Sequence, residues 1–323
     1  MNIKHQSGVA LVTAILIVAL ASILAAALLK QLNLGISRTQ NIIQSEQAYL
    51  YALGSEIVAI AALGQDAKDS KHDSLDEYWA FKLPPNPVEG GQVYGELADL
   101  QGKFNINNLS KTLNSAYQQR DLQQFRRLLE NLRLDKNLAN AVVDWLDEDL
   151  ESSIPGGAEN DYYIGLEKPY RAGNTLLSSP SELKLIKGFE LNKTYNTLLR
   201  HISALPEATA INVNTASREV LKSLVAGLTD SDVDKIIDRL GTETRDISNN
   251  SQPFEDISAF ETFMRQNTSS KNFKAENMVV STDYFLLSSV AEIARGRVAL
   301  YSVIYRDSSN NSLRVVSRSQ GAW

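Results

Sequence analysis

A chain of 323 residues is long enough for one large or two smaller packed units, and 43% hydrophobic against 22% charged residues excludes a disordered polymer. Zero cysteines exclude a disulfide framework and a thiolate site, so any bracing beyond packing must come from an oxygen-ligated metal. A formal net charge of -6 argues against a nucleic-acid-binding surface.

The chain opens with a polar, basic leader, Met1 to Gly8, followed by an uncharged apolar run from Val9 to Leu29. As a helix that run is roughly 30 Å long, the thickness of a bilayer core, and is read as a membrane span. In an ordinary secretory signal the small-residue cleavage site follows the apolar run. Here Ser7-Gly8 precedes it, so a cut between Gly8 and Val9 keeps the span. An uncleaved anchor with a chance glycine is the alternative. The arrangement resembles the class III signal of type IV pilins and pseudopilins, which implies processing by a prepilin peptidase and methylation of the new terminus. Most pilin-like subunits carry a glutamate where this chain has Thr13. A carboxylate inside the membrane is costly unless it is paired, and in a pilin filament its partner is a neighbour's terminal amine. Thr13 lacks that pairing. Among pseudopilins this points by resemblance to the K-type minor pseudopilin of type II secretion, which implies a place at the filament tip.

Beyond Lys30 an apolar stripe continues through Leu32, Leu34, Ile36, Ile42, Ile43, Ala48, Tyr49, Ala52, Leu53, Ile57, Ile60 and Ala61, predicting one helix from Val9 to about Leu63. Gln65 to Asp76 is polar and reads as a loop. The three prolines of Leu83-Pro84-Pro85-Asn86-Pro87 argue against regular structure. Gln92 to Leu100 and Lys103 to Asn107 read as a strand pair. Helical periodicity then covers Ser110 to Arg133, Leu138 to Trp145, Ser181 to Ile186, Lys193 to His201, Ser217 to Val225, Asp230 to Leu240 and Pro253 to Gln266, with a polar break from Gly241 to Gln252. Tyr284 to Ile293, Val298 to Arg306 and Leu313 to Ser319, separated by turns, predict an antiparallel meander.

Strands, a helical stretch and strands again form the order of an α+β, pilin-like fold: a long N-terminal helix on an antiparallel sheet that a large α-helical insertion interrupts. That order resembles the K-type pseudopilin over nearly the whole chain. The expected parts are a leader at 1–8, a helix at 9–63, a body at 64–108 and 273–323, and an insertion at 109–272. The resemblance also implies a single-pass protein of the bacterial inner membrane with its C-terminal part in the periplasm. Its implied partners are I- and J-type minor pseudopilins, other pseudopilins, and the secretin channel or cargo.

Between Asp144 and Asp161 the chain carries seven carboxylates, interleaved with Pro155-Gly156-Gly157. So many negative charges cannot converge without a cation, and Ca²⁺ takes 6 to 8 oxygen ligands in flexible geometry. No EF-hand pattern and no nearby histidine is present, and an exposed acidic loop is the alternative. The Asp144-Trp145-Leu146-Asp147 and Gly157-Ala158-Glu159-Asn160-Asp161-Tyr162 words resemble the calcium-binding segment of the K-type insertion. The resemblance implies Asp144, Asp147, Asp149, Glu159 and Asp161 as ligands, with Asn174 as a further one. Gly173 stands where that pattern usually has alanine.

Ile211 to Ser217 with Val220, Leu221, Leu224 and Ile236 to Arg239 resembles a helix-hairpin-helix, the DNA-phosphate cradle of uptake and repair proteins. Its hairpin has one glycine and the carboxylates Asp230 and Asp232, so DNA is not expected there. Two small helical subdomains, with Asn212 and Asn214 bonded to local backbone, are expected instead. No hydrolase, P-loop or dinucleotide motif is present, and His5, His72 and His201 are scattered, so an enzyme is not expected. The expectation is a minor pseudopilin that initiates or caps a pseudopilus used to export folded proteins. A minor pilin of a type IV pilus or DNA-uptake machine and a membrane-anchored hydrolase are the alternatives.

Overall fold

Between Val9 and Asp69 there is no proline, and alanine and leucine are the commonest residues. In a computed structural model, which describes residues 7–241 and 251–321, this stretch forms α1 (Ser7–Asp69). The leader residues Met1–Gln6 and most of the expected polar break, 242–250, lie outside the described residues. Helix α1 runs past Leu63 into the expected loop. Gln65 and Asp69 pair one turn apart, and Asp66 is fixed by Arg306, so the sheet stabilises the extra turn.

The chain then gives β1 (Leu83–Val88), β2 (Gly91–Asp99) and β3 (Phe104–Asn105). The helix-rich stretch holds α2 (Lys111–Asn114), α3 (Gln118–Asn131), α4 (Leu138–Leu146), α5 (Asn160–Ile164) and α6 (Asn192–Leu199). After β4 (Ile202–Ser203) and β5 (Ile211–Asn212) come α7 (Arg218–Ser223), α8 (Asp230–Leu240) and α9 (Ile257–Asn267). The chain closes with β6 (Met278–Val279), β7 (Tyr284–Ile293), β8 (Gly296–Arg306) and β9 (Leu313–Gln320).

The main sheet is antiparallel with order β1-β2-β7-β8-β9. The proline run is therefore a strand after all. It sits at the sheet edge, where one row of N–H groups needs no partner, and its register slips between Leu83 and Asn86. The expected pairing of Gln92–Leu100 with Lys103–Asn107 does not form. β2 pairs instead with the ten-residue β7, in register from Gly91↔Ile293 to Asp99↔Phe285, and β3 turns away to pair in parallel with β4.

Small residues decide how α1 meets the sheet. Ala48, Ala52 and Ala59 are buried, and a Cβ on Gly296 would lie 3.0 Å from the Gln44 carbonyl. Of the expected stripe, Ala48 and Ala52 are fully buried in this seam, Tyr49, Leu53 and Ile60 pack against it half-buried, and Ala61 is exposed. Ile42, Ile43 and Ile57 point outward, while Leu63 is fully buried where α1 ends against the sheet. Glu56 lies in the seam and is fully engaged: Oε1 accepts Ser302 Oγ (2.6 Å) and Arg318 Nε (2.7 Å), and Oε2 accepts Arg318 Nη2 (2.8 Å). Burial alone would raise its pKa, but the Arg318 and Ser302 bonds outweigh it and hold the carboxyl below its ordinary value.

Buried asparagines brace the helical unit from within. Asn107 donates to the carbonyls of Leu177 and Leu205 and accepts from Leu177 N, each at 2.9 Å. Asn214 exchanges two bonds with the backbone of Phe254, forty residues away rather than local as expected. Such side chains copy a strand partner where no strand is present. Asn114 and Ser115 interrupt the helix expected over Ser110 to Arg133. Asn114 Nδ2 bonds Asp121 Oδ2 (2.7 Å) and the Asn108 carbonyl, so the helix restarts at Gln118.

Candidate functional site

Helix α4 delivers Asp144 in its last turn, completely buried, and ends with Asp147 at its C-cap. Asp144 Oδ2 accepts the backbone N–H of Ser153 (3.0 Å) and of Ala158 (2.8 Å), curling the acidic loop over the helix end. That curl requires Gly157, where a Cβ would fall 2.1 Å from Asp144 Oδ2. Lys187 donates to the Gly157 carbonyl and Asn140 to that of Pro155, fixing the loop from outside.

The loop brings Asp147, Asp149 and Glu159 together: one oxygen of each lies within 4.8 Å of the others. Bonds of 2.3–2.6 Å to a common Ca²⁺ allow that spread. Asp144 Oδ1, Asp147 Oδ1, both oxygens of Glu159 and Asn174 Oδ1 are buried with no hydrogen-bond partner. Buried acceptors rarely stay unpaired. Glu159 has its pKa raised to about 7, first by burial and then by the charges of Asp144, Asp147 and Asp149. Asp147 is raised to about 6 by burial and by Asp149 and Asp144. Every donor is a hard oxygen, which fits calcium and does not fit a zinc site. Asp161, expected among the ligands, is exposed in the first turn of α5 and is not in the group.

Asn174, whose Oδ1 is buried and unpaired, sits at φ 45°, a left-handed conformation that asparagine tolerates. Beside it, a Cβ on Gly173 would sit 2.7 Å from Trp145 Nε1, so glycine rather than alanine matches the Trp145 position here. Asn160 escaped the sequence reading. Its Oδ1 accepts Ala172 N (2.9 Å) and ties α5 to the strand of chain that carries Asn174. Its place directly after Glu159 was the available signal.

Gly8 and Val9 lie in the first turn of α1. Thr13 Oγ1 donates to the carbonyls of Val9 (3.1 Å) and Ala10 (3.0 Å), so its one polar group is satisfied within the helix. The first half of α1 is exposed along its apolar length and is long enough to cross a bilayer.

The helix-hairpin-helix resemblance reduces to packing. Gly227 turns the chain at φ 85° between α7 and α8, but Asp232 fills the hairpin. Its carboxylate takes Thr229 N and Oγ1 and Ser269 N and Oγ. Burial works against that charge, yet the Ser269 and Thr229 bonds pull the pKa to about 2, leaving a fixed anion where phosphate would have to sit. His201 Nδ1 lies 2.8 Å from Ser217 Oγ and 3.8 Å from Glu219 Oε2. Both partners use one ring nitrogen, whereas a serine–histidine–carboxylate relay needs one on each.

Two family models, both described as type II secretion system protein K, match residues 102–207 and 211–281. The type II secretion system protein K of Pseudomonas aeruginosa is 33% identical, covering 98% of this chain and 94% of its own. The chain belongs to the type II secretion system protein K family. The protein K of Aeromonas hydrophila is 29% identical over 99% of this chain and 98% of its own. The fold is also that of a chain in the crystal structure of the GspK-GspI-GspJ complex from enterotoxigenic Escherichia coli, with a TM-score of 0.71 over 88% of this chain and all of that one, at 23% identity. Family membership makes the protein a minor pseudopilin of type II secretion, and α1 its membrane anchor.

Proposed function

We propose that the protein caps or initiates a periplasmic pseudopilus, held at its tip with I- and J-type minor pseudopilins. The observation that carries this reading is the helical unit between β2 and β7, a bulk that a tightly stacked filament has no room for except at its end. Thr13 supports it, since a subunit with nothing above it has no neighbour's amine to pair with. The GspK-GspI-GspJ assembly of the structural relative supports the choice of partners. On this reading the outward face of α1, with Leu50 and Ile57 well exposed, is where the partners' helices lie. Prepilin peptidase cuts between Gly8 and Val9, and the part beyond the span faces the periplasm. The role is structural rather than enzymatic.

Co-expressed full-length protein, extracted in detergent, should co-purify with the I- and J-type subunits of its own system. Leu50→Asp with Ile57→Asp should lose them while melting as the parent does. Absence of a complex with the unmutated chain would overturn the reading.

The acidic loop is proposed to hold calcium through Asp147, Asp149 and Glu159, with Asp144 Oδ1 and Asn174 Oδ1 turned to the same ion. Calcium at about 100 times its Kd stabilises by ~2.7 kcal/mol. At ~2–4 °C per kcal/mol, the melting temperature should rise by roughly 5–10 °C between chelator and millimolar calcium. Identical melting curves would remove the proposal.

A further inference from the structure

A second set of carboxylates meets far from the acidic loop, where α1 ends against the sheet. Asp66 lies in the last turn of α1, Asp73 in the following loop, and Glu77 just before the 3-10 turn Tyr78–Ala80. One oxygen of each is within 4.8 Å of the others, the spread that bonds of 2.3–2.6 Å to one ion allow. Asp73 is only 1% exposed. Its Oδ2 accepts Thr282 N (2.6 Å) and Arg306 Nη2, while its Oδ1 is buried with no partner at all. Asp66 Oδ2 accepts Arg306 Nη1 at 3.3 Å, and Glu77 Oε2 accepts Ser74 N and Trp79 Nε1, both at 2.9 Å.

Arg306 is the one cation in ion-pair contact with this set among the described residues. With all three carboxylates ionised, one guanidinium would leave an excess of two negative charges in a largely dry place. A water could satisfy Asp73 Oδ1 but would not offset the charge. We propose that Asp66, Asp73 and Glu77 hold a second divalent cation, of the hard, oxygen-binding class to which calcium belongs. Its position explains what it does. Asp73 N donates to the Val280 carbonyl and the Asp73 carbonyl accepts Asn212 Nδ2, so one loop residue joins α1, the sheet and the helical unit. The ion fixes that residue and with it the angle between filament-forming helix and insertion.

The neighbouring indole supplies a specific readout. Trp79 is hydrogen-bonded to Glu77, close enough to sensitise terbium bound in a calcium site. The test uses the full chain in detergent, stripped with chelator, on a Glu159→Gln background that disables the acidic loop. This protein should still bind one calcium by equilibrium dialysis and should still give terbium emission on indole excitation. Trp79→Phe should abolish the emission but keep the calcium, and Asp66→Asn should abolish both. Glu77→Gln serves as the second ligand variant should Asp66→Asn fail to fold. No calcium bound on the Glu159→Gln background would overturn the proposal, because the carboxylates would then simply share protons. Calcium that survives both ligand variants would overturn it equally, by placing the ion elsewhere.

Discussion

At the scale of single residues, the acidic loop is a set of charges that folding makes worse. Burial and mutual repulsion raise Glu159 to about 7 and Asp147 to about 6, above their ordinary values of 4.5 and 3.8. A carboxyl whose folded pKa is raised supports the fold fully below its unfolded pKa and loses that support as pH rises through the folded one. In chelator the melting temperature should therefore fall between about pH 5 and pH 8. Asp66 and Asp73, raised to about 6 and about 7 mainly by burial, push the same way, so a variant must separate the two sites. Glu159→Gln should melt higher than the parent in chelator at pH 8, flatten part of the slope, and lose the gain from calcium at the acidic loop. Thermal melts at three pH values, with and without calcium, check this. A Glu159→Gln protein less stable than the parent in chelator would mean that Glu159 is structurally satisfied without an ion.

At the scale of elements, what could be read from the sequence was whatever depends on local periodicity. The apolar run of α1 and the alternation of β7 each carry their own signal, and β7 begins at Tyr284 and ends at Ile293 as its alternation implied. Misread elements were those set by a distant partner. Prolines 84, 85 and 87 form a strand only because β2 offers an edge, and Gln65 to Asp69 stays helical because Arg306 reaches it. The two-residue strands β3 to β6 have no periodicity to find, since buried asparagines and parallel bridges create them. The site was legible in part for the same reason. Asp147, Asp149 and Glu159 were recognisable as oxygen donors from one crowded segment, whereas Asp161 belonged to that segment but its helix turns it outward. The second carboxylate set was invisible, because nothing in the spacing of Asp66, Asp73 and Glu77 reveals that Arg306 and Thr282 fold over them.

At the scale of the whole molecule, a pilin frame and a helical unit are built so that one can be removed from the other. The sheet does not depend on the insertion for its register: β2 and β7 pair directly, and Leu100 N still donates to the Tyr284 carbonyl (2.9 Å) where the chain departs and returns. Gln101 Oε1 accepts Asp283 N at 2.6 Å across the same gap. A short glycine linker in place of residues 103–280 should therefore leave α1 and the five-stranded sheet intact. Some stability is lost: Asn212 no longer bonds Asp99, the Asp73 carbonyl and the Gln101 carbonyl, Thr215 no longer bonds Asp99, Gln101 Nε2 loses the Ala210 carbonyl, Asp73 N loses the Val280 carbonyl, and the Leu205 side chain leaves the far face of the sheet. At ~0.5–1.5 kcal/mol for each of these six hydrogen bonds the loss is about 3–9 kcal/mol against the ~5–15 kcal/mol that holds a typical domain together, so the shortened chain should fold but melt well below the parent. If the helical unit does its work above the filament, the shortened protein should still enter the inner membrane and still bind the I- and J-type subunits through α1, yet fail to support secretion. Membrane fractionation, co-purification and the amount of cargo outside the cell read the three outcomes separately. Normal secretion by the shortened chain would mean that the insertion is dispensable and that the frame alone forms the working tip.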